Sequence, residues 1–125
     1  MLRVMMTGAR AVTDRAGVEF VFNEIAKQMP FTLVHGACPT GADKFAADWA
    51  RSDRARSMGV AEEPHPANWN RDGKRAGLVR NQEMVDTKPD LVVAFPHTSA
   101  PSNGTRHTID AAKRAGIPVY EYPLD

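Results

Sequence analysis

The sequence predicts an α/β fold in three layers: a five-stranded, mainly parallel sheet covered by helices on both faces. Two observations predict it. Short apolar runs alternate along the chain with segments whose apolar residues recur at helical spacing. The runs are also continuous rather than alternating in polarity, as strands buried on both faces require.

The elements follow in order. Leu2 to Met6 is apolar and β-rich enough for a buried strand, and it ends at Thr7-Gly8-Ala9-Arg10. Thr13 or Asp14 can cap the next helix, which sets Val18, Phe22, Ile25 and Met29 on one stripe before Pro30 stops it. Phe31 to Val34 is a second buried run, leading into the loop His35-Gly36-Ala37-Cys38-Pro39-Thr40-Gly41. Ala42, Phe45, Ala46, Trp49 and Ala50 then recur at i, i+3, i+4, i+7 and i+8, the clearest amphipathic helix in the chain, expected to close at Gly59. Val60 to Pro64 is a weaker strand. The polar stretch Asn68 to Gly73 precedes a helix through Arg80, Met84 and Val85, and Pro89 ends it. Leu91 to Phe95 is a strong strand, and Pro96 to Asn103 is a loop rich in Pro, Ser, Thr and Asn. Asn103 caps a helix to Ala115, Gly116 stops it, and Ile117 to Tyr120 is the last strand.

With 125 residues, no internal repeat and no linker, residues 1–125 read as one domain, long enough to bury roughly two-thirds of its unfolded surface. Hydrophobic residues at 42% and charged residues at 25% exclude a disordered or fibrous chain. Sixteen Lys and Arg against fifteen Asp and Glu argue against a dedicated nucleic-acid or membrane-surface binder. Cys38 is the only cysteine and the four histidines lack ligand spacing, so neither an intramolecular disulfide nor a metal site is expected, and no cofactor. No stretch approaches the roughly 20 apolar residues of a membrane span, and the first apolar run is too short for a signal peptide. The protein reads as soluble and cytoplasmic.

In parallel sheets, ligands bind beyond the carboxyl ends of the strands. That rule selects the loops after Met6, Val34 and Phe95, all carrying glycine and small polar residues. In the second loop, Gly36 and Gly41 let backbone amides approach an anion at a helix start, or serve an ordinary turn. Asp43, in the first helical turn, is either a dipole partner or a hydrogen-bonding group for a ribose or base edge. Gly8 offers a tight turn before Arg10, whose guanidinium suits phosphate or, as is commoner for a single arginine, is simply solvated at the surface. Asn103-Gly104-Thr105 is a second candidate anion cradle, or a plain helix cap. Arg80 follows Gly77-Leu78-Val79, an apolar setting unusual for a solvated arginine. Trp69 reads as a base-stacking residue or, more readily, a partly buried core tryptophan. Arg51, Arg54 and Arg56 form a solvated helix face, and Cys38 is a small loop residue.

Taken together, these segments resemble the SLOG superfamily, and within it the YspA/YpsA-like branch. The matching pieces are Thr7-Gly8-Ala9-Arg10, His35-Gly36-Ala37 through Gly41-Ala42-Asp43, Trp69 through Gly73, Ala76, Gly77, Arg80, Asn81 and Met84, Asp90 through Pro96, Gly104-Thr105, and Ala115 through Val119. The resemblance implies a Rossmann-like fold binding nucleotides or nucleoside-derived ligands. Related phosphoribohydrolases of the "lonely guy" group cleave an N-glycosidic bond. They pair an arginine with a methionine four residues on, as Arg80 and Met84 do here, and carry a PGGxGTxxE motif with a catalytic glutamate. Here Pro96 and Gly104-Thr105 remain, the loop between them is longer, and Thr108 stands where the glutamate would be. Threonine cannot act as general base or stabilise an oxocarbenium charge as a carboxylate does.

The reading that follows is a binding module for a nucleotide-type small molecule. Gly8, Arg10, Gly36, Gly41, Asp43, Arg80, Gly104 and Thr105 form its site, and the chain is expected to act alone, through a partner or, as the favoured reading, as a homo-oligomer. A hydrolase of nucleoside monophosphates is the alternative, with Arg80 and with Asp43 or Asp110 as candidate catalytic groups. Single-stranded nucleic-acid binding, as in the related DNA-processing protein A family, is disfavoured by the near-neutral charge.

Overall fold

The computed structural model describes residues 1–125. It contains β1 (Leu2–Gly8), α1 (Arg15–Gln28), β2 (Phe31–His35), α2 (Gly41–Ala50), α3 (Asp53–Ser57), β3 (Ala61–Pro64), α4 (Trp69–Asp72), a 3₁₀ turn (Gly73–Arg75), α5 (Ala76–Asp86), β4 (Leu91–Phe95), α6 (Asn103–Arg114) and β5 (Val119–Glu121). The five strands form one sheet in the order β3-β2-β1-β4-β5, and every pairing is parallel.

The continuous apolar strands are explained by what covers them. On β1, Val4 and Met6 enter a core shared with α1, α2 and α3, while Met5 enters a second core shared with α5 and α6. Successive side chains point to opposite faces, so a strand sandwiched between helix layers must be apolar throughout. The larger core centres on four aromatic rings. Trp49 stacks on Phe22 and Phe31 at 5.5 and 5.9 Å between centroids, and Phe95 meets Phe22 edge-on at 5.7 Å. The Trp49 indole N–H donates to Asn23 Oδ1 at 2.9 Å, so the ring buries no orphan donor.

Helix boundaries differ from expectation at three places. The helix expected to reach Gly59 breaks at Ser52, whose hydroxyl donates to the Trp49 carbonyl and accepts from the Ala55 amide. That one side chain ends α2 and caps α3. Met29 leaves the apolar stripe because it lies past the end of α1 in extended backbone, 47% exposed. The cap of α6 is Ser102 rather than Asn103, and the Ser102 hydroxyl accepts instead from the His97 amide. At α1, Asp14 is the cap, accepting from the Gly17 amide at 2.9 Å.

The order β3-β2-β1-β4-β5 places the direction switch between β1 and β4, so a crevice opens above their carboxyl ends. Its floor depends on close approach. A Cβ on Gly8 would lie 2.5 Å from Ala42 Cβ, so the start of α2 presses directly on the end of β1. Gly41, at φ +75°, sits similarly against Ala9 and Arg10. We expect Gly8→Ala to destabilise the fold by about 1–3 kcal/mol, the usual cost of overpacking. Urea denaturation should show a lower midpoint with an unchanged slope.

Candidate functional site

A cleft of about 660 Å³ lies at the switch point. Its walls are the β1–α1 loop, the first turn of α2, the α4–α5 segment and the start of α6. Gly8, Arg10, Asp43, Arg80, Gly104 and Thr105 all line it, so the fold brings together six of the eight residues singled out in the sequence. Gly36 lines a smaller adjoining cavity of about 110 Å³ with Arg10, Cys38 and Trp69. Gly41 lies beneath, packed on Ala9 and Arg10.

Arg80 is only 7% exposed, and most of its donors are engaged. Nη1 donates to the Gly36 carbonyl and, at 3.4 Å, to that of His65, while Nε donates to Asn81 Oδ1 at 2.8 Å. Nη2 has only the Cys38 sulfur, a weak acceptor, at 3.5 Å. Arg80 therefore ties the β2–α2 loop to α5 and keeps one edge of its guanidinium for the cleft. Gly36 serves this arrangement, since a Cβ there would sit 2.6 Å from Arg80 Nη1.

Asp43 is equally occupied. Its two carboxylate oxygens accept from the Gly36 amide at 2.9 Å and the Cys38 amide at 3.3 Å, and Oδ1 lies 3.3 Å from His35 Nδ1. It is the only carboxylate lining the cleft, which three cations also line: Arg10, Lys74 and Arg80. Arg10 and Lys74 are exposed, and their side chains enter none of the chain's hydrogen bonds or ion pairs.

The start of α6 is the open backbone edge of the site. Ser102 gives α6 no side-chain cap, and the amides of Asn103, Gly104 and Thr105 donate to no group of the chain. By contrast, α1, α3 and α4 are capped by Asp14, Ser52 and Asn68. At the start of α2, the Ala42 amide already binds the Ala9 carbonyl. A Cβ on Gly104 would meet nothing within 4 Å, so the backbone there is accessible. Free amides at the positive end of a 12-residue helix dipole are the kind of backbone edge that suits an anion.

Three further side chains bear on the sequence reading. Trp69 is not a core residue: it is 54% exposed and stands at the cleft, where Leu78, 41% exposed, joins it. Thr108 is 1% exposed, lies outside the cleft lining, and bonds back to the Gly104 carbonyl at 2.9 Å. Asp110 is exposed and also outside the lining, so it supplies no carboxylate to the cleft. The sequence reading passed over Lys74 and Leu78. Leu78 was detectable as an apolar residue off the buried stripe of Ala76, Arg80 and Met84. Lys74 carried no such signal.

A five-stranded parallel sheet between two helix layers, with a positively lined cleft at its switch point, defines a Rossmann-like α/β protein. Residues 2–71 match the YspA, cpYpsA-related SLOG family, YAcAr. The "Gene 61 protein" of Mycobacterium phage D29 is 40% identical over 124 residues, 98% of this chain and 97% of that protein. The chain belongs to the YspA, cpYpsA-related SLOG family. Membership suggests a nucleotide-related ligand-binding role. No helix is long and apolar enough to cross a membrane.

Because Arg80 satisfies two backbone carbonyls, Arg80→Ala should destabilise the fold by roughly 2–4 kcal/mol, reflecting buried acceptors left unmade. Arg10→Ala should stay within about 0.5 kcal/mol of the parent. Urea melts of the two variants side by side check the contrast.

Proposed function

We propose that the protein binds a nucleotide or nucleoside-derived small molecule in this cleft. A phosphate would sit at the open amides of Asn103, Gly104 and Thr105, with Arg10, Lys74 and the free edge of Arg80 around it. The base would lie against Trp69 and Leu78, whose exposed apolar surfaces otherwise face water. The observation that carries this reading is the uncapped start of α6 in a cleft holding three cations and a single, already occupied carboxylate. Such a site favours anions, and charge-assisted hydrogen bonds to phosphate are the strong kind.

The same observation speaks against hydrolysis. Glycosidic cleavage needs carboxylates to move protons or meet positive charge at the reacting carbon. Asp43 holds two loop amides, and Thr108 carries a hydroxyl committed to its own helix. The site is arranged to hold charge rather than transfer protons.

Calorimetry with AMP, ADP and ADP-ribose tests the proposal. At least one should bind, and Arg10→Ala or Lys74→Ala should weaken it by roughly 1.5–3 kcal/mol, as for a hydrogen bond to a charged group. Absence of heat with all three at millimolar concentration would overturn it. Chromatography after long incubation with nucleoside monophosphates should show no free base, and robust release would restore the hydrolase alternative.

A further inference from the structure

His35 ends β2 with a ring that is 0% exposed, and no part of the binding scheme above uses it. Nε2 lies 2.6 Å from Glu62 Oε1. Nδ1 is contested: the Ala37 amide donates to it at 3.0 Å, while Asp43 Oδ1 lies 3.3 Å away. An N–H donating to Nδ1 requires that nitrogen to be bare, so the observed ring carries its proton on Nε2, toward Glu62. Adding a second proton would turn Nδ1 into a donor. It could then serve Asp43, but it could no longer hold Ala37.

We propose that His35 is a buried proton switch for the β2–α2 loop: neutral, its Nδ1 holds the Ala37 amide, and protonated, it bonds Asp43 and releases Ala37.

Four observations support a two-state element. Ala37 is held at φ +55°, a left-handed conformation costly for a residue with a Cβ, so release relieves strain. Its neighbours Gly36 and Cys38 are held by Asp43, the same carboxylate that would receive the new bond. Glu62 cannot take the proton instead. Arg51 grips both its oxygens at 3.0 and 2.6 Å and, foremost among the causes, keeps its carboxyl below the usual range. Finally, burial pushes the His35 imidazole down, but Asp43 and Glu62 together outweigh it and raise the pKa above the ordinary histidine value. The charged groups facing the ring are thus Glu62 from β3 and Asp43 from α2, with Arg51 behind Glu62. Arg80, from α5, meets the loop at the Gly36 carbonyl, Arg3 and His65 are turned to Glu63, and Lys44 to Asp48.

The switch reaches the cleft through Asp43 and Cys38, which line it. An anion in the cleft adds negative potential beside Asp43 and favours the charged ring. By linkage, protonation of the ring raises anion affinity to the same extent. This coupling rests on the binding reading above; the switch itself does not.

Nuclear magnetic resonance of the full ¹⁵N-labelled chain separates the two. Without ligand, the ring nitrogens of His35 and the amide of Ala37 are followed from about pH 5 to 9, a range extended upward because the ring titrates above an ordinary histidine. The expected result is a neutral ring protonated on Nε2 and an Ala37 amide that shifts with the same midpoint as the ring. Ala37→Gly, which relieves the strained neutral state, should lower that midpoint by roughly half a pH unit. An Ala37 amide that ignores the ring titration, or a neutral ring protonated on Nδ1, would overturn the switch. ADP-ribose, whose diphosphate keeps its charge across this range, is then added. The midpoint should rise, with affinity about tenfold higher at low pH for each unit of rise. His35→Gln should still bind but lose that pH dependence. A variant that kept the full dependence would overturn the coupling. Failure of ADP-ribose to bind at any pH would count against this ligand class and leave the switch to be decided by the ligand-free titration.

Discussion

The site depends on one buried cation. Arg80 enters from α5, at the edge of the second core, and lays its guanidinium against the β2–α2 loop. Without that contact, the Gly36 and His65 carbonyls would lose their donor, and α5 would have no polar tie to the β2–α2 loop. The cost of burying a guanidinium is offset because its hydrogen bonds are made to fixed acceptors. The neighbouring carboxylate, Asp43, performs the complementary task by collecting amides from the same loop. A cation takes the loop's carbonyl and an anion takes its N–H groups, so Gly36 is held from both sides.

This division explains which parts of the structure were legible in the sequence. The strands and most helix limits followed from burial on two faces and from local punctuation such as Pro30, Gly116 and Asp14. Both act over a few residues, so they leave a trace in the chain. The break at Ser52 was less legible because a serine inside a helical pattern is ordinary until its hydroxyl is known to serve both sides of a turn. The glycines were recognised as important, but Gly8 and Gly36 serve Ala42 and Arg80, which come close only after folding. Trp69 could not be placed from composition, since a lone tryptophan after a polar stretch carries no period. Lys74 is distinguished only by having no partner, and absence of a partner is a property of the folded surface.

The position of α6 is what supports the proposed binding reading over the hydrolytic one. Thr105 and Thr108 are three residues apart, which places them on neighbouring positions of one helix face. Thr105 reaches the cleft lining, whereas Thr108 is sealed and its hydroxyl is satisfied within the helix. A carboxylate at 108 would have to displace that packing or find a cation, and a buried unpaired charge is expensive. Replacing Thr108 alone therefore does not recreate a proton-transfer group in the open part of the cleft. What remains at the mouth is a helix start without a cap and cations without partners, features that would stabilise the proposed anion in its ground state as well as in any later one. Interactions of that uniform kind raise affinity and leave a chemical barrier where it was.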